Sequence, residues 1–456
     1  MNRRMQRRQF LKDSAAVGAG VVILKSGILR AGNSPSDKLN IASIGVGGRG
    51  GADMRACRSE NIVALCDVNE KNLAKAAKMF PKAKTYKDWR KCLEQKDIDA
   101  VTCGTTDHTH AFVNVWAMNR GKSVYCEKPL ANSVEEARVV RETYLKNKDK
   151  IATQQGTQIH ASDNYRRVVE LVRDGAIGKI KDAHVWCGRT PVGGDYLPEQ
   201  NPVPNHIDWD LWIGPSPFHY YNKGYFGGCL AWNRFWDFGS GQIGDMGSHM
   251  MDMACWPLEL GIATSVQAEG SPVSKATCPT WLRATWEQPA TDWRPAIKVH
   301  WHDGSKKPGM PMKIIDRKAA FKGALFRGDK GWLMSDYGWR ILRPSGDLTY
   351  YKPRKAEDLI PPSIGHHKEW IQACKTDKKT TCNFDYAGML IENNMLALVS
   401  YRLGEVIKRK NREGKEEEIT IGKKLQWDAK DLKVPNCPEA DKYIRKTYRR
   451  GWVLNG

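Results

Sequence analysis

Leu39-Asn40-Ile41-Ala42-Ser43-Ile44-Gly45-Val46-Gly47-Gly48-Arg49-Gly50 is the stretch from which the fold can be inferred. Its first six residues are typical of a short buried strand, and its last six hold glycines in the spacing G-x-G-x-x-G. Such glycines allow a tight turn and let phosphates approach the amino end of the next helix, where free N–H groups point outward. The stretch therefore predicts a strand–turn–helix unit that binds a dinucleotide.

A carboxylate follows the next predicted strand. The apolar run 62–66 ends at Asp67, which comes 22 residues after Gly45. A carboxylate there accepts hydrogen bonds from both ribose hydroxyls of NAD and repels the 2′-phosphate of NADP. We therefore predict NAD as the cofactor, with NADP the less favoured alternative. The predicted cofactor contacts in this region are Gly45, Gly47, Arg49, Gly50 and Asp67.

Strands and helices continue to alternate up to residue 156. The pattern predicts helices at 70–80, 111–119 and 133–148, and strands at 97–103, 123–126 and 151–155. Repeated βα units indicate a parallel, doubly wound sheet, whose ligands lie beyond the carboxyl ends of its strands. Two polar clusters follow those ends, Thr105-Thr106-Asp107-His108-Thr109-His110 and Glu127-Lys128-Pro129.

Length and composition exclude several classes of protein. A chain of 456 residues, 41% hydrophobic and 27% charged, is long enough for two globular domains. The net charge of +21 is spread along the chain without a recognition motif, so no nucleic-acid partner is expected. No run approaches the roughly 18 apolar residues that a membrane span requires.

Residues 1–32 are predicted to be an export signal. Gln6-Arg7-Arg8-Gln9-Phe10-Leu11-Lys12 precedes the small and apolar run 15–24 and resembles a twin-arginine signal, although Gln6 replaces the usual Ser or Thr. An uncleaved basic amphipathic arm is the alternative. The signal would make the twin-arginine export machinery a partner and the location periplasmic or otherwise exported, with no integral membrane segment in the mature chain.

After residue 156 the regular alternation of strands and helices ends. A Trp-, Gly- and Pro-rich region spans about 187–238, a strand-rich region spans 262–350, and helices are predicted at 366–375 and 385–402. Between the first two regions lies Asp245-Met246-Gly247-Ser248-His249. If this run is helical, its carboxylate and imidazole share one face. On spacing alone, such a pair is more often a surface contact than a catalytic dyad.

Together these motifs resemble the Gfo/Idh/MocA oxidoreductases, which include glucose–fructose oxidoreductase and inositol dehydrogenase. The resemblance covers nearly all of 38–456, although Thr106 stands where many members carry proline. It implies an α/β fold, with a doubly wound Rossmann domain at 37–156 and a C-terminal α/β domain at 157–425. The latter would carry a large open, mostly antiparallel sheet and serve substrate binding and oligomerisation, as a dimer or tetramer. The tail 426–456 would pack on the body.

The resemblance also implies roles for individual residues. Lys128 would stand beside the nicotinamide and stabilise charge on the substrate oxygen, after a turn with a cis bond at Pro129. His249 is the candidate general base, because an ordinary histidine pKa of about 6.5 lies near working pH. Asp245 would orient this imidazole or hold a neighbouring substrate hydroxyl. Further cofactor contacts are predicted at Thr105, Thr106, His108, His110, Glu127 and Lys128, and substrate contacts at Trp232 and Arg234.

No metal is expected, because no further ligand cluster completes a coordination sphere around Asp107, His108 and His110. The predicted function is an exported NAD-dependent oxidoreductase that acts on a sugar, polyol or related carbohydrate through a tightly bound cofactor. The first alternative is a glycoside hydrolase or lyase that oxidises its substrate transiently and has no net redox change. The second is a non-catalytic sugar or cofactor sensor that keeps only the fold.

Overall fold

A computed structural model describes residues 38–304, 321–411 and 414–456 of the chain. The predicted export signal at 1–32 lies outside the described residues. No helix within those ranges is long and apolar enough to span a membrane.

The first sheet has six parallel strands. They are β1 Asn40–Ile44, β2 Asn61–Cys66, β3 Lys84–Tyr86, β4 Ala100–Cys103, β5 Ser123–Cys126 and β6 Thr153–Gln155. Their order is β3-β2-β1-β4-β5-β6, so the chain reverses direction across the sheet between β1 and β4. Ligands of such sheets bind in the crevice outside the strand ends at this reversal.

Five helices connect these strands, α1 Gly48–Ala56, α2 Glu70–Met79, α3 Trp89–Leu93, α4 Asp107–Asn119 and α5 Val134–Asn147. The predicted doubly wound Rossmann domain is confirmed. Several boundaries differ. The strands β4 and β6 begin three and two residues after their predicted starts, at Ala100 and Thr153. The helix α4 begins at Asp107, four residues before the predicted start, after Thr106 in extended conformation. The polar cluster after β4 therefore forms the first turn of a helix, not only a loop.

The second sheet is large and mixed. Its strands are β7 Ile180–Cys187, β8 Ser265–Gly270, β9 Leu282–Gln288, β10 Ile297–His302, β11 Lys322–Gly328, β12 Gly331–Ser335, β13 Arg340–Pro344, β14 Glu405–Lys410, β15 Glu416–Ile421 and β16 Leu425–Gln426. The order is β13-β12-β11-β7-β10-β9-β8-β15-β14, with β16 beside β8. In the described part of the chain, β7 and β10 pair in parallel and the other neighbours are antiparallel, which confirms the predicted sheet.

The remaining helices are α6 Asp163–Arg173, α7 Trp209–Ile213, α8 Cys229–Trp232, α9 Gly241–Met250, α10 Asp252–Leu258, α11 His366–Lys375, α12 Phe384–Arg402 and α13 Asp441–Ile444. The long apolar helix α12 packs against α5, α9 and β8. Its buried Glu392 accepts two hydrogen bonds from Arg138 of α5, at 2.6 and 2.9 Å, and one from the indole of Trp427. This ion pair connects α12, near the C-terminal end, with α5 of the first domain.

Side chains along the second sheet alternate between a buried face and a more exposed face. In β9, Leu282, Ala284 and Trp286 are buried, whereas Arg283 and Thr285 between them are half-buried. Such a period of two is expected for a sheet that has helices on one face only. The two edge strands, β13 and β14, are rich in basic side chains: Arg340, Arg343, Lys408, Arg409 and Lys410.

Candidate active site

The turn at residues 45–50, here called the glycine turn, packs tightly against the end of β4. Gly45 has φ +77°, and a Cβ on it would lie 2.6 Å from the backbone of Gly104. A Cβ on Gly50 would lie 1.9 Å from the carbonyl oxygen of Gly45. Only glycine fits at these two positions.

The amino end of α1 fits a pyrophosphate. Its N-cap, Gly47, offers no side-chain cap, and the first turn contains no acidic residue. Beside Gly48, a Cβ would meet no described atom within 4 Å. Uncapped N–H groups at an open helix start bind anions.

Asp67 lies at the end of β2, where the ribose contact is predicted. Its Oδ2 accepts hydrogen bonds from the N–H groups of Val46 and Gly47, at 3.0 and 3.2 Å, and its Oδ1 from that of Asn69 at 2.8 Å. Burial raises the pKa of Asp67, and these hydrogen bonds oppose the rise. The carboxylate is thus fixed directly to the glycine turn.

Lys128 and Asp245 meet although they belong to different domains. Lys128 Nζ donates to Oδ1 of Asp245, and Arg189 Nη1 donates to Oδ2 of the same carboxylate at 2.7 Å. Burial raises the pKa of Asp245, but Lys128 and Arg189 outweigh it and hold that pKa below its usual range. Burial lowers the pKa of Lys128, but Asp245 outweighs it, so the net shift is upward. Lys128 is therefore a charged ammonium group whose position is fixed by the carboxylate of Asp245.

Arg189 is the site residue that sequence reasoning missed. It follows β7 by two residues and lies in the Trp-, Gly- and Pro-rich region, which has no regular periodicity. The one available signal was its place just beyond a strand end, where ligand-binding groups of α/β sheets commonly lie.

His249 lies one helical turn after Asp245 on α9, as predicted. Burial, and then the Lys128 cation, lower the pKa of His249 to about 3, so the expectation of a pKa near working pH is wrong. Both oxygens of Asp245 are engaged by Lys128 and Arg189, and no hydrogen bond within the described ranges joins Asp245 to His249. Asp245 therefore does not orient this imidazole by a hydrogen bond in the structure.

The turn Glu127-Lys128-Pro129, here called the lysine turn, contains the expected cis bond before Pro129. His110 lies behind it, with Nδ1 2.7 Å from the carbonyl oxygen of Pro129 and Nε2 3.1 Å from that of Thr105. His110 is 1% exposed and supports the turn, and its predicted role as a cofactor contact stays a prediction.

His108 is also buried. Its ring nitrogens lie 3.0 Å from the carbonyl oxygen of Trp212 and 3.3 Å from that of Phe238, and burial lowers its pKa to about 4. The predicted cofactor contact at His108 stays a prediction, with both ring nitrogens near backbone carbonyl oxygens. The imidazole packs against the aromatic segment after β7, because its neighbours bury the first turn of α4.

Arg49 and Glu127 connect the glycine turn with the lysine turn. Arg49 Nε donates to Oε1 of Glu127 at 3.0 Å, and Gln158 Nε2 donates to the same oxygen at 2.6 Å. Burial, and then the nearby Asp53, raise the pKa of Glu127 to about 7. Two predicted cofactor contacts are thus brought together beside Lys128.

The predicted threonine contacts lie between these turns. The hydroxyl of Thr109 donates to Oγ1 of Thr105 at 2.6 Å, and a Cβ on Gly45 would lie 2.8 Å from the nitrogen of Thr105. Thr106, the N-cap of α4, makes no side-chain cap. Thr105 therefore borders the glycine turn directly.

The two predicted substrate contacts, Trp232 and Arg234, pack against aromatic side chains. Trp232 packs against the aromatic cluster around Trp209, and the Arg234 guanidinium lies 4.7 Å from the ring centroid of Phe235. Arg234 Nη1 donates to the carbonyl oxygen of Val192 at 3.5 Å. In the part of the chain that the structure describes, no hydrogen bond or ion pair joins either residue to Lys128, Asp245 or His249.

Cys103, Cys126 and His110 form a buried group of potential metal ligands, with ligand atoms within 4.8 Å of one another. The cysteines are paired neighbours at the ends of β4 and β5. Both ring nitrogens of His110 already face carbonyl oxygens at 2.7 and 3.1 Å, so a cation would have to displace one of them. We assign the group to packing beneath the lysine turn.

Two family models match this chain. The model described as the NAD-binding Rossmann fold of the Gfo/Idh/MocA oxidoreductase family matches residues 39–155, and that of its C-terminal α/β domain matches residues 178–289. Levoglucosan dehydrogenase from Pseudarthrobacter phenanthrenivorans is 30% identical over 199 residues, which are 42% of this chain and 40% of the relative. Inositol 2-dehydrogenase from Klebsiella pneumoniae is 32% identical over 184 residues, 38% of this chain and 54% of the relative.

The chain spans about half the length of these curated relatives. Among solved structures, the WlbA dehydrogenase from Bordetella pertussis, in complex with NADH and UDP-GlcNAcA, has a TM-score of 0.55 at 15% identity. The match covers 79% of this chain and 95% of that one and supports the same fold. Since the two family models together match half of the chain and lie on the two sheets described above, this protein belongs to the Gfo/Idh/MocA family of oxidoreductases.

Proposed function

We propose that this protein is an NAD-dependent oxidoreductase that transfers a hydride between a tightly held nicotinamide cofactor and a hydroxyl-bearing carbon of a sugar, polyol or related carbohydrate. The contact between Lys128 and Asp245, next to the glycine turn, carries this proposal. In the proposed reaction this contact would hold a fixed positive charge beside the substrate oxygen as that oxygen develops negative charge. The names of the levoglucosan and inositol dehydrogenases support a carbohydrate substrate.

The chain's own residues would divide the work as follows. NAD, when bound, supplies the hydride acceptor. Asp67 and the glycine turn hold it, and Lys128 has three donors, so it can bind a substrate oxygen while still contacting Asp245. His249 is neutral at working pH and is free to accept the hydroxyl proton. Because its pKa is about 3, it would hold that proton only briefly and release it to solvent water.

We further propose that the chain is exported through the twin-arginine route to the periplasm and functions as a dimer or tetramer. The pair Arg7-Arg8 ahead of an apolar run supports export. This route carries folded proteins, often with the cofactor already bound. Tightly held NAD would suit a compartment where the free cofactor is scarce.

The test is to identify the cofactor and then the substrate. Protein purified without added nucleotide should release NAD or NADH on denaturation, measured by mass spectrometry. Sugars and polyols should then be screened for reduction of that cofactor at 340 nm, with aryl glycosides in parallel. A purified protein that neither contains nor binds NAD would contradict the proposal. Glycoside cleavage without net NADH would instead favour the transient-oxidation hydrolase.

A further inference from the structure

A cavity of about 250 Å³ lies outside the candidate active site, since Lys128, Asp245 and His249 do not line it. Its walls come from His108 and from five segments distant in sequence: 132–136, 215–217, 236–240, 395–402 and 442–448. Its lining carries both acidic and basic side chains. The charge of a suitable ligand therefore depends on which of these side chains already have partners within the protein.

The two acids of this cavity are already engaged by the protein. Glu136 accepts a hydrogen bond from the N–H of Asn132 at 2.7 Å and another from the hydroxyl of Tyr448 at 3.2 Å. Oδ2 of Asp237 accepts from the hydroxyl of Tyr196 and the imidazole of His219, both at 2.7 Å. Among the described residues neither carboxylate makes a hydrogen bond or ion pair with Arg402 or Lys446, although both oppose the lowering of the pKa of Lys446 by burial.

Arg445 of the lining pairs with Asp441 and Glu135, whereas Arg402 and Lys446 make no ion pair within the described residues. The guanidinium of Arg402 lies 4.6 Å from the ring centroid of Trp236 and 4.1 Å from that of Tyr443, and within the described residues it makes no hydrogen bond or ion pair. Lys446 Nζ donates to the carbonyl oxygen of Trp236 at 3.3 Å, a neutral acceptor. Burial lowers the pKa of both Arg402 and Lys446.

An unused hydroxyl completes the lining. Ser240 is 1% exposed, and its Oγ has no hydrogen-bond partner among the residues that the structure describes. Burying cations and polar groups without partners costs free energy, which a bound anion would recover. A planar guanidinium matches the two oxygens of a carboxylate or phosphate.

We propose that this cavity is a second binding site, which takes a small oxyanion, a carboxylate or a phosphate, between Arg402 and Lys446. The volume suits inorganic phosphate or a small acid and excludes a dinucleotide. Ser240 immediately precedes α9, which carries Asp245 and His249, and Asn132 follows the lysine turn by three residues. An anion here would contact both segments that position the candidate active site.

The test is calorimetric titration of the NAD-saturated protein with inorganic phosphate and, separately, with acetate. Saturation with NAD keeps the probes away from the glycine turn. Wild-type protein should bind at least one probe saturably, and which one it binds distinguishes phosphate from carboxylate. Arg402→Gln and Lys446→Met should each weaken that binding at least tenfold. Lys408→Gln, which removes an equal charge on the edge strand β14, should bind as wild type.

Because Arg402 packs between two rings, circular dichroism must show that each variant is folded. If Arg402→Gln does not fold, Arg402→Lys keeps the charge without the planar fork and should still weaken binding severalfold. The proposal is overturned if the wild type binds neither probe saturably. It is equally overturned if folded variants of both Arg402 and Lys446 bind as tightly as wild type.

Discussion

Two cations in partly enclosed sites, Lys128 and Arg402, meet opposite conditions in this molecule. Lys128 donates to a carboxylate that also binds Arg189, whereas Arg402 lies between two aromatic rings with no acid as partner among the described residues. The charge of Lys128 is compensated by a protein carboxylate, so its site suits a neutral substrate. The charge of Arg402 is not compensated in this way within the described residues, so its site suits binding of an anion from solution. Pairing, not burial, therefore separates the candidate catalytic site from the proposed anion site.

The largest effect is expected when the paired cation is removed. Lys128→Ala should lower kcat by about a thousandfold, because the charge opposite the developing substrate anion is lost. The NAD content of the purified protein should stay the same, since Asp67 and the glycine turn are untouched. Lys408→Gln is the control and should turn over as wild type. A loss of less than tenfold would show that Lys128 does not do the assigned chemistry.

Removing the counter-ion should affect stability next most strongly. Asp245→Asn leaves Lys128 and Arg189 facing a neutral amide, and breaking a buried ion pair costs about 3 kcal/mol. Urea unfolding measures this change in the free energy of unfolding. Asp210→Asn is the control, because its pair with Arg449 has a carboxylate that is 73% exposed and should contribute less than about 1 kcal/mol. Equal losses in the two variants would contradict the distinction between paired sites.

The neutral His249 should make the folded protein sensitive to acid. Its pKa is lowered to about 3, so its contribution is complete above about pH 6.5, the unfolded value, and is lost as pH falls toward 3. At pH 5 the loss is about 2 kcal/mol. Between pH 7 and 5, wild type should therefore lose about 2 kcal/mol more in the free energy of unfolding than His249→Asn. Parallel pH dependences would show that His249 titrates normally.

The smallest of these effects concerns the second cation at Asp245. Arg189 is 35% exposed, so Arg189→Met should cost about tenfold in kcat/KM, far less than loss of Lys128. Arg189→Lys, which keeps a positive charge, should recover part of the loss. If Arg189→Met is as damaging as Lys128→Ala, the two cations have equivalent roles.

The first domain could be predicted because its signals are local. The glycine spacing and the short apolar strands before Gly45 and Asp67 lie within about twenty residues of one another, so the strand–turn–helix unit can be recognised from local sequence. The start of α4 was misplaced because distant carbonyl groups, such as that of Pro129, accept contacts from polar residues of its first turn. Long-range contacts cannot be read from periodicity.

The same limit applies to the candidate site. The shared face of Asp245 and His249 follows from helical spacing, whereas Arg189, 56 residues before Asp245, arrives by way of β7. The pKa of His249 depends on Lys128, a neighbour from the other domain. The sequence therefore predicts that Asp245 and His249 belong to the site, whereas the pKa of His249 depends on tertiary packing.

The edges of the second sheet have a consequence for self-association. β14 ends in Lys408, Arg409 and Lys410, and β13 begins with Arg340 and closes at Pro344. A copy of either strand that aligned with it in parallel would bring like charges together, and at β13 it would meet a residue without an N–H to donate. The basic residues and Pro344 therefore disfavour parallel strand pairing between copies at both edges.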